Sequence, residues 1–151
     1  MSLTGLTMLA LDAKGRLSIP TRYRAEILDA CQGKMKFTIQ HRGKSLLLYP
    51  MPEFLVTEKK VNRLSDFDPV EYRLKYLFNS HAMDTEMDSS GRVLVPPILR
   101  DRVGIDKKVA LTGQSNKFEI WDEDVWLQEC DRFFVKDNEV EFSEKLKDFH
   151  Y

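Results

Sequence analysis

Two five-residue strings in this sequence bring together residue types that could do chemistry: Asp12-Ala13-Lys14-Gly15-Arg16 and Asp88-Ser89-Ser90-Gly91-Arg92. In each, an aspartate precedes an arginine by four residues, with a glycine just before the arginine. Asp bonds backbone groups two residues on, and glycine supplies positive φ at little cost, so each string reads as a tight turn joining two strands. An arginine at the tip of such a turn can grip a phosphate, or the O6 and N7 of guanine in a bidentate way. Lys14, Arg22 and Arg24 lie near the first turn and would supply backbone-phosphate contacts that position it. The same spacing also permits a plainer role, in which each Asp–Arg pair braces its own turn as a surface ion pair worth under about 1 kcal/mol. The aspartate can do both jobs, holding the turn and aiming the arginine.

The two strings are parts of an internal repeat. Leu9 to Pro20 lies over Thr85 to Pro96, with Asp, Gly, Arg and Pro coinciding, and the match continues to Arg24 over Arg100. After a slip of four residues around Ala30 to Gly33, Phe37-Thr38-Ile39 lies over Val109-Ala110-Leu111 and Leu48-Tyr49 over Ile120-Trp121. A duplication predicts pseudo-twofold geometry, which would place the paired turns on one surface.

The elements that must position the turns follow from periodicity. Leu9 and Leu11 alternate with Ala10, and Leu17 and Ile19 with Ser18, the pattern of half-buried strands. Pro20 and Pro96-Pro97 end the strands and open short helices, the first burying Tyr23, Ile27 and Leu28, the second stopping at Gly104. Strands are expected at Lys36–Gln40, Ser45–Tyr49, Lys108–Thr112 and Lys117–Trp121. Closing helices start near Pro52, with Phe54, Val61 and Leu64 on one face, and at Asp122 as N-cap. Between the copies, Asp68-Pro69-Val70-Glu71 starts a linking helix whose stripe is Val70, Leu74, Leu77 and Phe78. Val140–His150 places Phe142, Leu146 and Phe149 on one face of an amphipathic helix. The divisions are 1–66, a first unit; 67–82, a connecting helix; and 83–151, a second unit with an acidic C-terminal helix.

Composition narrows the function classes. The chain is 42% hydrophobic and 31% charged, an ordinary globular profile, and has no apolar run near the roughly 20 residues of a membrane span. Its start lacks the basic and apolar regions of a signal peptide, so the cytoplasm is the expected compartment. Net charge is −1, yet residues 12–24 hold Lys14, Arg16, Arg22 and Arg24 against Asp12 alone. The stretch from Asp137 to Asp148 is acidic, so a global balance hides a local basic surface. Cys31, expected in a loop, and Cys130 make no disulfide framework, and no histidine stands near a cysteine at ligand spacing. No metal, cofactor or catalytic residue is read.

At the two turns the sequence resembles the MraZ family. Asp12 to Arg24 and Asp88 to Pro96 carry the resemblance, supported by Leu46-Leu47-Leu48-Tyr49-Pro50 and by Gly113 to Trp121. It covers nearly the whole chain and weakens only after about Asp137. It implies an α+β fold of two tandem SpoVT/AbrB-like β-α-β units, forming a pseudo-twofold double half-barrel with flanking helices. It also implies a cytoplasmic, nucleoid-associated transcriptional regulator acting at the promoter of the division and cell-wall gene cluster that begins with its own gene. The expected partners are double-stranded DNA carrying short direct repeats and further copies of the chain in a ring, with no membrane and no small-molecule substrate. The family's Asp-x-x-x-Arg signature maps onto Asp12 to Arg16 and Asp88 to Arg92. The candidate DNA-binding residues are Asp12, Lys14, Arg16, Arg22, Arg24, Asp88, Arg92 and Arg100. The second turn has Ser89-Ser90 where the first has Ala13-Lys14, so it is the less basic of the two.

Two rival classes are weighed against this. An enzyme needs a nucleophile and a base in fixed geometry, and no such signature surrounds Cys31 or His41, nor do the glycines form a phosphate cradle. A protein-interaction module, including an antitoxin-like partner binder, would use the near-neutral charge and apolar stripes, and its binding would be insensitive to salt.

Overall fold

The computed structural model of the chain describes residues 1–134 and 143–149. β1 (Leu3–Ala10) runs through the first turn into β2 (Arg16–Ser18), followed by α1 (Thr21–Cys31), β3 (Lys34–Ile39), β4 (Leu46–Pro50) and α2 (Met51–Val61). After α3 (Pro69–Ser80) the order repeats as β5 (Met83–Glu86), β6 (Arg92–Leu94), α4 (Pro97–Val103), β7 (Lys108–Ser115), β8 (Phe118–Asp122) and α5 (Glu123–Phe133). The fold is the expected α+β double half-barrel.

The strands do not stay with their own copy. Six form one antiparallel sheet in the order β1-β7-β8-β4-β3-β5, and β2 with β6 forms a separate two-stranded ribbon. Thus β1 of the first copy pairs with β7 of the second, and β5 of the second with β3 of the first. Each Asp-x-x-x-Arg turn therefore joins a strand of the sheet to a strand of the ribbon instead of closing a hairpin. The registers are twofold-symmetric: Arg16 faces Leu94 and its counterpart Arg92 faces Ser18, with Leu17 opposite Val93 between them. The same relation holds in mid-sheet, where Leu47 opposes Glu119 between the pairs Leu46–Ile120 and Leu48–Phe118.

One correction to the repeat comes from these registers. Leu9 pairs with Val109, while its counterpart Thr85 pairs with Met35, so Met35 and not Phe37 is the counterpart of Val109. Leu48 pairs with Phe37 and Ile120 with Leu111, which agrees. The four-residue slip is thus divided between the α1–β3 junction and the β3–β4 loop. A two-residue shift leaves every strand side chain on its original face, so the hydrophobic pattern does not register it.

The inner faces of sheet and ribbon share one core, in which Leu17, Ile27, Phe37, Val93, Val109 and Phe118 are fully buried. α1 buries Tyr23, Ile27 and Cys31, one stripe at a spacing of four. Leu28 falls off that stripe and is 50% exposed, and Cys31 is the helix's buried last residue, not a loop residue, its Sγ lying 3.2 Å from the Ile27 carbonyl oxygen. On the opposite face of β4, Leu47 and Tyr49 pack with Phe54 of α2 and Phe78 of α3. α3 starts as expected, with the Asp68 carboxylate accepting from the Val70 and Glu71 amides. Glu71, however, accepts from the Ser65 amide at 3.2 Å instead of reaching back to the cap. Val70 is 65% exposed, because the first turn of α3 lies beyond the apolar surface that Leu77 and Phe78 cover.

Gly104 ends α4 in the left-handed region, and Asp122 caps α5 by accepting from the Val125 amide. Of the expected C-terminal helix, Val140 to Phe142 and His150 lie outside the described residues. The described part, 143–149, holds a single 3-10 turn at Glu144–Leu146, with Leu146 and Phe149 exposed. Among the described residues no helix is long and apolar enough to cross a membrane.

Candidate nucleic-acid interface

Each turn is held by its own aspartate. Asp12 Oδ1 accepts from the Lys14 and Arg16 amides, both at 2.9 Å, and Oδ2 accepts from Arg16 Nε at 2.7 Å. In the second copy Asp88 Oδ1 accepts from the Ser90 and Arg92 amides at 2.9 Å, and Oδ2 from Arg92 Nε at 3.2 Å. The Arg16 amide above all, aided by the Arg16 side chain, holds Asp12 below the usual carboxylate range, and the Arg92 amide does the same for Asp88. Gly15 and Gly91 sit at φ +79° and +78°, as the turn demands. The bracing ion pair is therefore present, and it has a consequence for function. Each aspartate takes only Nε, leaving the Nη1–Nη2 edge without a hydrogen bond among the described residues. That is the edge an arginine presents to a phosphate or a guanine.

The ribbon register places both arginines together. Residues opposite one another in an antiparallel pair share a face, and so do residues two apart along a strand. Arg16, Ser18, Arg92 and Leu94 therefore occupy one outer face of the ribbon, while Leu17 and Val93 are buried on the other. Arg16 and Arg92 are diagonal neighbours, with Cα atoms about 7–8 Å apart.

The copies also brace each other's turns, which the sequence reading missed. The Ile19 amide donates to the Gly91 carbonyl at 2.8 Å, and its counterpart Val95 donates to Gly15 at 3.1 Å. Arg24 of α1 packs over Gly91, so close that a Cβ there would lie 2.2 Å from Arg24 Nε, and that Nε donates to the Ile19 carbonyl at 2.7 Å. Its counterpart Arg100 covers Gly15 and donates through Nη2 to the Asp106 carbonyl at 2.9 Å, while its buried Nε has no partner among the described residues. The recurrence of Gly-Arg and of Arg24 as Arg100 was the available signal. It gave the equivalence of the positions without showing that each arginine crosses to the other copy.

The structure thus divides the predicted site residues. Arg16 and Arg92, with Asp12 and Asp88, form a compact pair on the outer ribbon face, and exposed Lys14 lies on the first turn beside them. Arg24 and Arg100 pack over the turn glycines Gly91 and Gly15, and donate to the Ile19 and Asp106 carbonyls. Arg22 donates to Thr7 Oγ1 at 2.6 Å and to the Tyr23 hydroxyl at 2.9 Å, so it is tied to β1 and not to the turn. Among the described residues no group of three or more His, Cys, Asp or Glu is placed to hold a metal ion.

A tandem repeat whose copies exchange strands, with paired Asp–Arg turns on one ribbon face, defines a duplicated SpoVT/AbrB-like protein. Comparison with known proteins narrows this. The family model described as "MraZ protein, putative antitoxin-like" matches twice, over residues 3–76 and 78–148. The Transcriptional regulator MraZ of Citrobacter koseri is 46% identical over 146 residues, covering 95% of this chain and 96% of that protein. Proteins of the same name from Escherichia coli O9:H4 and Salmonella paratyphi B are 49% and 47% identical over 125 residues, covering 83% of this chain and 82% of each relative. The chain belongs to the MraZ family.

Proposed function

We propose that this chain is a non-catalytic, sequence-specific DNA-binding transcriptional regulator, as the names of its relatives suggest. The observation that carries the reading is the placement of Arg16 and Arg92 on one outer ribbon face, each with its Nη edge left open by its aspartate. Residues 1–66 and 83–151 act as the two DNA-facing units and 67–82 connects them. The target is double-stranded DNA at the promoter of the division and cell-wall gene cluster that begins with its own gene, read as short direct repeats. The working form is a cytoplasmic, nucleoid-associated ring of copies, in which individually weak contacts gain affinity by tethering. Lys14 and, less directly, Arg22 contribute phosphate contacts, while Arg24 and Arg100 act through the turns they hold. The first turn, with Lys14, contributes more than the second.

The salt dependence of binding to duplex DNA tests the reading against a protein-interaction module. Log affinity falls linearly with log salt, with a slope of about −0.9 per neutralised phosphate. Lys14→Ala should flatten that slope by about one phosphate equivalent while weakening all sequences alike. Salt-insensitive association, or an unchanged slope in the variant, would contradict the assignment.

A further inference from the structure

Beneath α3, on the outer face of the sheet, lies an apolar cavity of about 410 Å³ walled by residues including Leu47, Val61, Leu74 and Phe78. A second cavity of about 400 Å³ adjoins it and shares Ile39, His41 and Leu77 with it. The second is also lined by Arg42, Arg73 and Arg102, with no carboxylate among the described residues that line it. Those arginines come from the β3–β4 loop, from α3 and from α4. The groove is thus apolar at one end and cationic at the other. Lys117 and Glu119, of opposite charge, also line the apolar part.

The cationic end is partly fixed in place. Glu129 of α5, with a side chain only 4% exposed, lies 3.5 Å from Arg42 Nη2 and also pairs with Lys44 at 2.8 Å and Arg132 at 3.0 Å. One carboxylate therefore anchors the loop that carries Arg42 and is shared among three cations. Arg73 Nη2 donates to the His41 carbonyl at 3.1 Å, and Arg102 makes no ion pair or hydrogen bond among the described residues. Arg42 already faces the Glu129 carboxylate, whereas Arg73 and Arg102 have no carboxylate partner among the described residues, so their charge on this cavity is unbalanced. Guanidinium forks match phosphate oxygens in geometry, and the adjoining wall can bury an apolar body.

We infer that this groove binds a phosphate monoester carrying an apolar body, the phosphate at Arg73 and Arg102 beside the Glu129-paired Arg42 and the body against Leu74 and Leu77. The site is separate from the Asp–Arg turns and does not depend on their role. The test is calorimetric titration of the full chain with decyl phosphate below its micelle concentration, and with inorganic phosphate, at constant ionic strength. Decyl phosphate should bind saturably, and at least about tenfold more tightly than inorganic phosphate, since the groove wall takes its methylenes out of water. Arg73→Gln/Arg102→Gln should weaken decyl phosphate about tenfold or more, with thermal unfolding unchanged because both side chains are exposed. Leu74→Gln should weaken decyl phosphate and leave inorganic phosphate unaffected. Equal binding of the two probes, or wild-type binding by the double arginine variant, would overturn the site. So would a loss of about two phosphate equivalents from the DNA salt slope in that variant, which would assign the arginines to the nucleic-acid backbone.

Discussion

Replacing Gly91 by alanine tests the cross-bracing of the turns. The glycine sits at φ +78°, where an L-residue costs roughly 1–2 kcal/mol. Its Cβ would lie 2.2, 2.4 and 2.7 Å from Nε, Cζ and Cδ of Arg24, so the whole outer half of that side chain must swing away. Doing so breaks the bond from Nε to the Ile19 carbonyl, a charge-assisted contact worth about 1.5–3 kcal/mol. The two terms together predict a loss of about 2.5–5 kcal/mol, equivalent to a fall in Tm of roughly 5–20 °C for a chain of this size. At Gly15 the backbone strain is the same, but the clash, 2.6 Å, is with the Nη1 tip of Arg100, which can turn aside. Gly15→Ala should therefore cost less, about 1–2 kcal/mol. Urea unfolding of Gly91→Ala, Arg24→Ala and the double variant isolates the coupling. With Arg24 truncated, Gly91→Ala should retain only its strain, giving an interaction energy of about 1 kcal/mol or more. Additivity within about 0.5 kcal/mol, or a larger loss at Gly15 than at Gly91, would refute the bracing.

Other expectations concern the far side of the sheet and the β3–β4 loop. Phe54 is fully buried and stacks on Phe78 at a centroid distance of 5.1 Å, with Tyr49 edge-on at 5.7 Å. Phe54→Ala should cost about 3–5 kcal/mol in urea unfolding, and a loss below about 1 kcal/mol would show that α2 and α3 contribute little to stability. Glu129 is held below its ordinary value of 4.5, first by the hydrogen bond from Lys44 and then by Arg132 and Arg42. Because its native value is depressed, its contribution is complete above the unfolded value and is lost as pH falls through the native one. The stability gap between wild type and Glu129→Gln should be widest above pH 4.5 and close on acidification, whereas a gap that widens there would reverse the sign.

The sequence disclosed what local pattern can carry. The Asp–x–x–x–Arg turns, the caps at Asp68, Gly104 and Asp122, and the repeat itself are short-range features, and all are present in the structure. The exchange of β1 and β5 between copies was not legible, because strand periodicity shows which face is buried without naming the partner strand. The repeat register at β3 escaped for a related reason, since a two-residue slip preserves the faces. Arg22, Arg24 and Arg100 look alike in sequence as nearby cations. Only the positions of Thr7, Ile19, Gly15 and Gly91 separate the residues that hold structure from those left open. Leu28 and Val70 fit helical stripes on spacing but lie outside the surfaces those helices cover.

The central claim is that the open Nη edges of Arg16 and Arg92 contact DNA. Its most direct test is a gel-shift titration of wild type, Arg16→Ala and Arg92→Ala on the promoter upstream of the chain's own gene, with oligomeric state and thermal unfolding measured alongside. Arg16→Ala should abolish specific binding with fold and assembly intact, because the lost ion pair is half-buried at the surface and worth about 1 kcal/mol. Arg92→Ala should weaken binding to a lesser degree. Wild-type binding of that promoter by Arg16→Ala would contradict the account.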